Sequence, residues 1–106
     1  MESFNIINYK GEQTYVRQVP GYINAAVLGG GVGEIFAIPS SGRIVVFSAD
    51  GNFYAKRDAI PAVPVADITD GSSPELNPAA WCLDRVTGIG LISSSSRVVT
   101  LSYYAL

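Results

Sequence analysis

The sequence predicts an all-β domain, a small antiparallel β-sandwich or barrel with a proline-rich strap loop between its hairpins. Three observations carry that expectation. β-Branched and aromatic residues cluster at short spacing, helical periodicity is hard to find, and each cluster is closed by Gly, Pro, Asp, Asn or Ser, the residues that turn a chain. The expected strands cover residues 14–19, 23–28, 34–38, 43–49, 52–56, 88–93 and 97–104. The breaks between them fall at Pro20-Gly21, Gly29-Gly30-Gly31, Pro39-Ser40-Ser41-Gly42, Asp50-Gly51 and the serines at 93–96.

Asp50-Gly51 suggests a two-residue hairpin, because a type I′ turn needs positive φ at both central positions and this pair adopts it cheaply. That register would set Phe47 opposite Tyr54 on one face, with Ser48 opposite Phe53 and Val46 opposite Ala55 on the other. Apolar groups then lie on both faces, so Ile44-Val45-Val46-Phe47 reads as a strand covered on two sides. A second hairpin is expected to pivot between Ser94 and Ser95, setting Ile92 opposite Arg97, Leu91 opposite Val98 and Gly90 opposite Val99. Gly88 and Gly90 would leave room for another layer to approach. From Val86 to Leu106 the only charge is Arg97, so this last stretch is expected in the core or in a subunit contact.

Residues 58–78 contain prolines at 61, 64, 74 and 78, each lacking a backbone donor and biasing its predecessor toward extended geometry. A strap over the surface is expected there. Residues 78–83 could form one helical turn, with Asn77 as N-cap and Pro78 at the first helical position.

A chain of 106 residues builds one core, so residues 1–106 are read as a single domain, with residues 1–11 as a candidate N-terminal arm. Hydrophobic residues make up 48% and charged ones 15%, against about 25% charge in an average soluble chain, which points to surface hidden by assembly. Seven Lys and Arg against nine Asp and Glu leave a net charge of −2 with no basic block, which argues against nucleic acid as a partner. No apolar run approaches the roughly 18 residues of a membrane span, and residues 1–5 show no cationic leader. Cys82, between Trp81 and Leu83, reads as a buried small hydrophobe.

The chain has no histidine, which removes the usual proton shuttle and the commonest metal ligand. Histidine-dependent triads are excluded, and a single cysteine rules out four-cysteine metal sites. Asp50, Asp58, Asp67, Asp70, Glu75 and Asp84 could in principle meet, but no spacing selects a catalytic pair. A protein that is not an enzyme, without cofactor or metal, is the expectation. Asp67, Asp70, Ser72 and Glu75 miss the spacing of a calcium loop and read instead as turn-forming side chains. Leu28-Gly29-Gly30-Gly31-Val32-Gly33 lacks the third glycine of a dinucleotide loop, since Glu34 stands there, and it runs into a strand, so it reads as a bend or bulge.

Tyrosine is enriched where one end of a ring is buried and the other meets a partner, which makes Tyr9, Tyr22, Tyr103 and Tyr104 candidate interface residues. Tyr103 and Tyr104 are adjacent in a strand and must point to opposite faces, one of them inward.

Residues Val63-Pro64-Val65-Ala66-Asp67-Ile68-Thr69-Asp70-Gly71-Ser72-Ser73-Pro74-Glu75-Leu76-Asn77-Pro78, followed by Val86-Thr87-Gly88-Ile89 and Val98-Val99-Thr100-Leu101-Ser102-Tyr103-Tyr104, resemble small virion proteins of tailed bacteriophages. The likeness covers about the last half of the chain. In that group a Pro-Ala-Ala-Asp-Val-Thr-Asp-Gly-Ser-like stretch and a Leu-Asn-Pro triplet precede a final apolar hairpin; Val65 and Ile68 are departures. The resemblance implies a capsid decoration, or cement, protein made in the host cytoplasm and carried on the capsid exterior. Its partners would be the major capsid protein and further copies of itself, with a trimer suggested by three-fold lattice positions. A collar, head-tail or fibre-base component, or a carbohydrate-binding adhesin module, is the alternative.

Overall fold

The computed structural model describes residues 3–7 and 13–105, with side chains from residue 22 onward. Among these residues nine strands form: β1 (Ser3–Ile7), β2 (Gln13–Leu28), β3 (Glu34–Ala37), β4 (Ile44–Ala49), β5 (Tyr54–Arg57), β6 (Glu75–Leu76), β7 (Ala80–Cys82), β8 (Gly88–Ile92) and β9 (Arg97–Ala105). They build two antiparallel sheets, one of five strands in the order β1-β2-β9-β4-β7 and one of four in the order β3-β8-β5-β6. The all-β expectation holds, and of its two forms the architecture is the sandwich.

Alternation along the strands assembles the core. In the five-stranded sheet Ala26 and Leu28 of β2, Val99, Leu101 and Tyr103 of β9, Val45 and Phe47 of β4, and Trp81 of β7 all belong to the buried cluster. Phe53, Ala55, Ile89 and Leu91 face them from the four-stranded side. The apolar terminal stretch is indeed internal, since β9 lies between β2 and β4 and every residue of β8 is buried.

Both expected hairpins are corrected. β4 and β5 lie in different sheets, and so do β8 and β9. At Asp50-Gly51 neither residue has positive φ. Instead Asp50 extends the ladder of β4 with β9: its N–H donates to the Val98 carbonyl (3.3 Å), and its Oδ1 accepts the Val98 N–H (3.1 Å). Gly51 then passes beneath the Arg97 side chain, where a Cβ would overlap the guanidinium. The chain crosses to the second sheet, so Phe47 meets Phe53 across the layers (ring centroids 5.7 Å apart) rather than Tyr54 across a ladder.

The serine segment is a second corner. Ser93 is buried, its hydroxyl donates to the Asn52 carbonyl (2.9 Å), and its own carbonyl accepts the Gly31 N–H (2.7 Å). Three chain segments are thereby pinned at one end of the sandwich. Small side chains and hydroxyls suit hairpin turns, yet here they hold crossovers between layers.

Pro20-Gly21 does not end a strand. β2 runs through it, and the pairing with β9 shifts register between Gln18 and Ile23, the irregularity where a sheet tolerates proline. The helical turn after Asn77 is also corrected, because Ala80–Cys82 pairs with β4 as strand. Asn77 has φ of 49°, a left-handed conformation that asparagine tolerates better than most residues, and it exchanges hydrogen bonds with Phe53. Its N–H donates to the Phe53 carbonyl (2.9 Å) and its Oδ1 accepts the Phe53 N–H (3.0 Å). An amide that satisfies a neighbouring strand so fully has no reason to cap a helix.

Within residues 58–74 no strand forms, and Glu75–Leu76 then pairs with β5. The room at Gly90 is filled from this segment, since a Cβ there would overlap the Ala59 carbonyl oxygen and lie 2.8 Å from Pro61 Cδ. Ile89 and Leu91 point into the core, so Ala59 to Pro61 cross the opposite, outward face of β8. The layer approaching the glycine is thus a loop, not a partner strand.

Asp58 anchors the start of that loop. Its Oδ1 accepts the Thr87 N–H (2.8 Å), the Thr87 hydroxyl (2.9 Å) and the Gly88 N–H (2.9 Å), tying the end of β5 to the start of β8. These bonds, the Thr87 backbone N–H first, hold its pKa below the ordinary carboxylate value. The stabilisation is complete above the unfolded value, about 3.9, and is lost as pH falls through the lower folded value. Asp58→Asn keeps an acceptor and tolerates the positive φ of 55° but removes the charge. Thermal unfolding should show the wild type ahead of Asp58→Asn at pH 7, with the gap closing below about pH 4. A gap unchanged with pH would refute the charge-based account.

Candidate interaction surface

The outward face of the five-stranded sheet is read from the same registers. Residues alternating with the buried ones project away from the core, and cross-strand partners share a face. One row runs Ile23, Ser102, Val46, Ala80; the next runs Ala25, Thr100, Ser48. Val27 pairs with Val98 at one end, and Tyr104, Ile44 and Cys82 align at the other. None of these residues carries a charge. A solvated sheet face ordinarily places charged and polar residues at such positions. Here Val27 is 73% exposed and Ile23 53%, so large apolar groups meet solvent directly.

The opposite sheet also exposes apolar groups, Ile35 on β3 and Ile60 on the loop that crosses it, but in a different setting. Its outward face carries Lys56 and is crossed in the middle by Ala59 to Pro61. The two sides of the sandwich therefore differ in chemistry, one roofed and partly charged, the other open and uncharged.

The candidate tyrosines separate. Tyr103 is fully buried and meets Tyr22 edge-on (centroids 5.9 Å, planes at 88°), so its place at an interface is corrected to a place in the core. The inward packing of a long apolar strand decides this, because odd-numbered residues of β9 face the second sheet. The Tyr103 hydroxyl has no hydrogen-bond partner among the described residues, and burial raises its pKa to about 12. Tyr22 lies beside Tyr103, partly exposed. Tyr104 sits on the uncharged outer face, half-buried, as the alternation of neighbours requires. Tyr9 lies outside the described residues. Cys82, expected in the core, is exposed at the sheet edge, since Trp81 takes the inward position of β7.

The side chains that sequence reasoning missed are Ile23, Val27, Val46 and Val98. Their signal is an uncharged alternation, but the sequence suggests two-sided cover only for residues 44–47 and a core or subunit contact for the stretch holding Val98.

Several carboxylates are already engaged. Asp50 and Asp58 hold the backbone bonds described above, and Glu75 accepts the Trp81 indole N–H (2.9 Å). Asp70 Oδ1 accepts the Ser72 N–H (3.0 Å) and hydroxyl (2.6 Å), the turn its sequence suggested, and these bonds lower its pKa. Among the described residues no group of three or more Cys, Asp or Glu could hold a metal ion. A groove of about 470 Å³ is lined by Asp50, Asn52, Phe53 and Asn77 among others. There Asn77 Nδ2 donates to Asn52 Oδ1 (2.9 Å), so its amides brace the corner of the fold.

Compared with known proteins, the chain matches no protein family, no curated protein and no solved structure.

Proposed function

We propose that this chain is a structural protein of a bacteriophage particle, a decoration or cement protein that binds the outer surface of the major capsid lattice and stabilises it. The observation that carries the reading is the open, uncharged outer face of the five-stranded sheet, together with the resemblance of residues 63–104 to small virion proteins. Such a face suits a flat, repeated partner. Each contact is modest in area, and many copies on one lattice make the sum strong because neighbouring sites are engaged at high effective concentration.

Two measurements test this. Peptide counting on purified particles should find hundreds of copies; six to a few dozen would indicate a collar, fibre-base or adhesin component, and none would overturn the reading. Val27→Lys places a charge at one end of the uncharged face without touching the core, so the variant should fold normally yet lose at least tenfold in binding to undecorated capsids. Undiminished binding would remove this face from the contact.

A further inference from the structure

We propose that two copies of the chain join edge to edge through β1, forming one sheet that continues across both. This inference concerns the isolated protein and does not rest on the virion reading.

β1 is the outermost strand of its sheet, pairing with residues 13–17 of β2, from Ser3 opposite Arg17 to Ile7 opposite Gln13. β9 engages β2 only from Arg17 onward, where Arg17 faces Ala105. Residues 13–16 therefore have β1 as their sole ladder partner among the described residues. Over residues 13–16 the described sheet is a two-stranded ribbon. A two-stranded ribbon is marginal in water, and a third strand changes that.

Among the described residues the outer edge of β1 has no ladder partner, and it is also unguarded. Proteins blunt exposed edges by keeping them short or by placing charge or proline on them. β6 and β7 have two and three residues, and β3 has four with Glu34 among them. β1 has five, Ser-Phe-Asn-Ile-Ile, with neither charge nor proline. Its open row of backbone donors and acceptors calls for an extended strand.

A second copy fits because the segment is self-complementary. Antiparallel pairing about a two-fold axis at Asn5 sets Phe4 opposite Ile6 and Ser3 opposite Ile7, each contact occurring twice, with no like charges opposed. Asn5 alone faces its own copy. That makes it the diagnostic position.

Sedimentation equilibrium of the purified chain should show a monomer–dimer equilibrium. Asn5→Lys and Asn5→Asp, each opposing like charges on the axis, should weaken self-association about fivefold. Mixing the two variants in equal amounts should restore association to the wild-type level or beyond, because Lys then faces Asp. Near-ultraviolet circular dichroism of Trp81 confirms that both remain folded. A wild-type chain that stays monomeric at millimolar concentration overturns the proposal without any variant, leaving a foreign strand as the occupant. Variants that dimerise as tightly as wild type, or a mixture that recovers nothing, overturn it equally.

Discussion

Gly90→Ala should destabilise the fold by about 3 kcal/mol or more, a large part of what holds a domain of this size together. The new methyl group would overlap the carbonyl oxygen of Ala59 and stand 2.8 Å from both Ala59 C and Pro61 Cδ. None of these atoms is the loose end of a side chain. Moving them displaces the backbone just after Asp58, whose carboxylate is fixed by three hydrogen bonds, and ahead of Pro61, which is buried. Retreat on the other side is closed too, because Ile89 and Leu91 are fully buried against the first sheet. Urea unfolding should show a lower midpoint with an unchanged slope. Gly29→Ala is the control, with nothing nearer than 3.9 Å to its added carbon, and should change stability by under about 1 kcal/mol. Equal effects at the two glycines would show that the close approach at Gly90 is not what matters.

Trp81→Ala should cost about 3–5 kcal/mol, the range for removing a large buried aromatic. The indole is 4% exposed and touches both sheets. Phe47 meets it edge-on at 5.0 Å, Glu75 accepts its N–H, and the Arg57 guanidinium lies 4.2 Å from the ring centroid. Glu75 and Arg57 belong to the four-stranded sheet while Trp81 belongs to the other, so one side chain closes an open flank of the sandwich. Trp81→Phe keeps most of the apolar area but forfeits the hydrogen bond and weakens the cation contact, and should fall between the two. Because this is the chain's single tryptophan, far-ultraviolet circular dichroism should follow the unfolding in place of fluorescence. A loss for Ala no larger than for Phe would mean that the packing volume contributes little.

The contrast between these sites and the misread corners shows what a sequence of this kind reveals. Strand positions were legible because side-chain alternation and turn residues are local: residues 34–38, 43–49, 88–93 and 97–104 each overlap an observed strand closely. Pairing was not legible. Asp50-Gly51 satisfies the local requirements of a tight hairpin equally well, and only the competing bonds from Asp50 to Val98, together with the burial of Phe53 between layers, select the crossover. For Ala80–Cys82 the local signals favoured a helical start, and pairing with β4, far away in sequence, overrode them. The outer face was hidden for a related reason. Whether Val27 and Val98 are covered depends on which strands are neighbours, and periodicity alone does not encode that. The absence of charge around them was visible from the start, and it is what the interaction surface finally rests on.

The order of the strands bears on when this molecule can acquire its shape. β9 is inserted between β2 and β4, both of which are synthesised long before it. Until β9 leaves the ribosome, those two strands have a vacant slot between them, and their apolar rows stay wet. Assembly of the larger sheet must await β9, at the slow pace of topologies built from distant pairings. In the interval the apolar stretches around Ile44 and Ile23 lack the strand that later covers their edges, the condition under which partly folded chains associate.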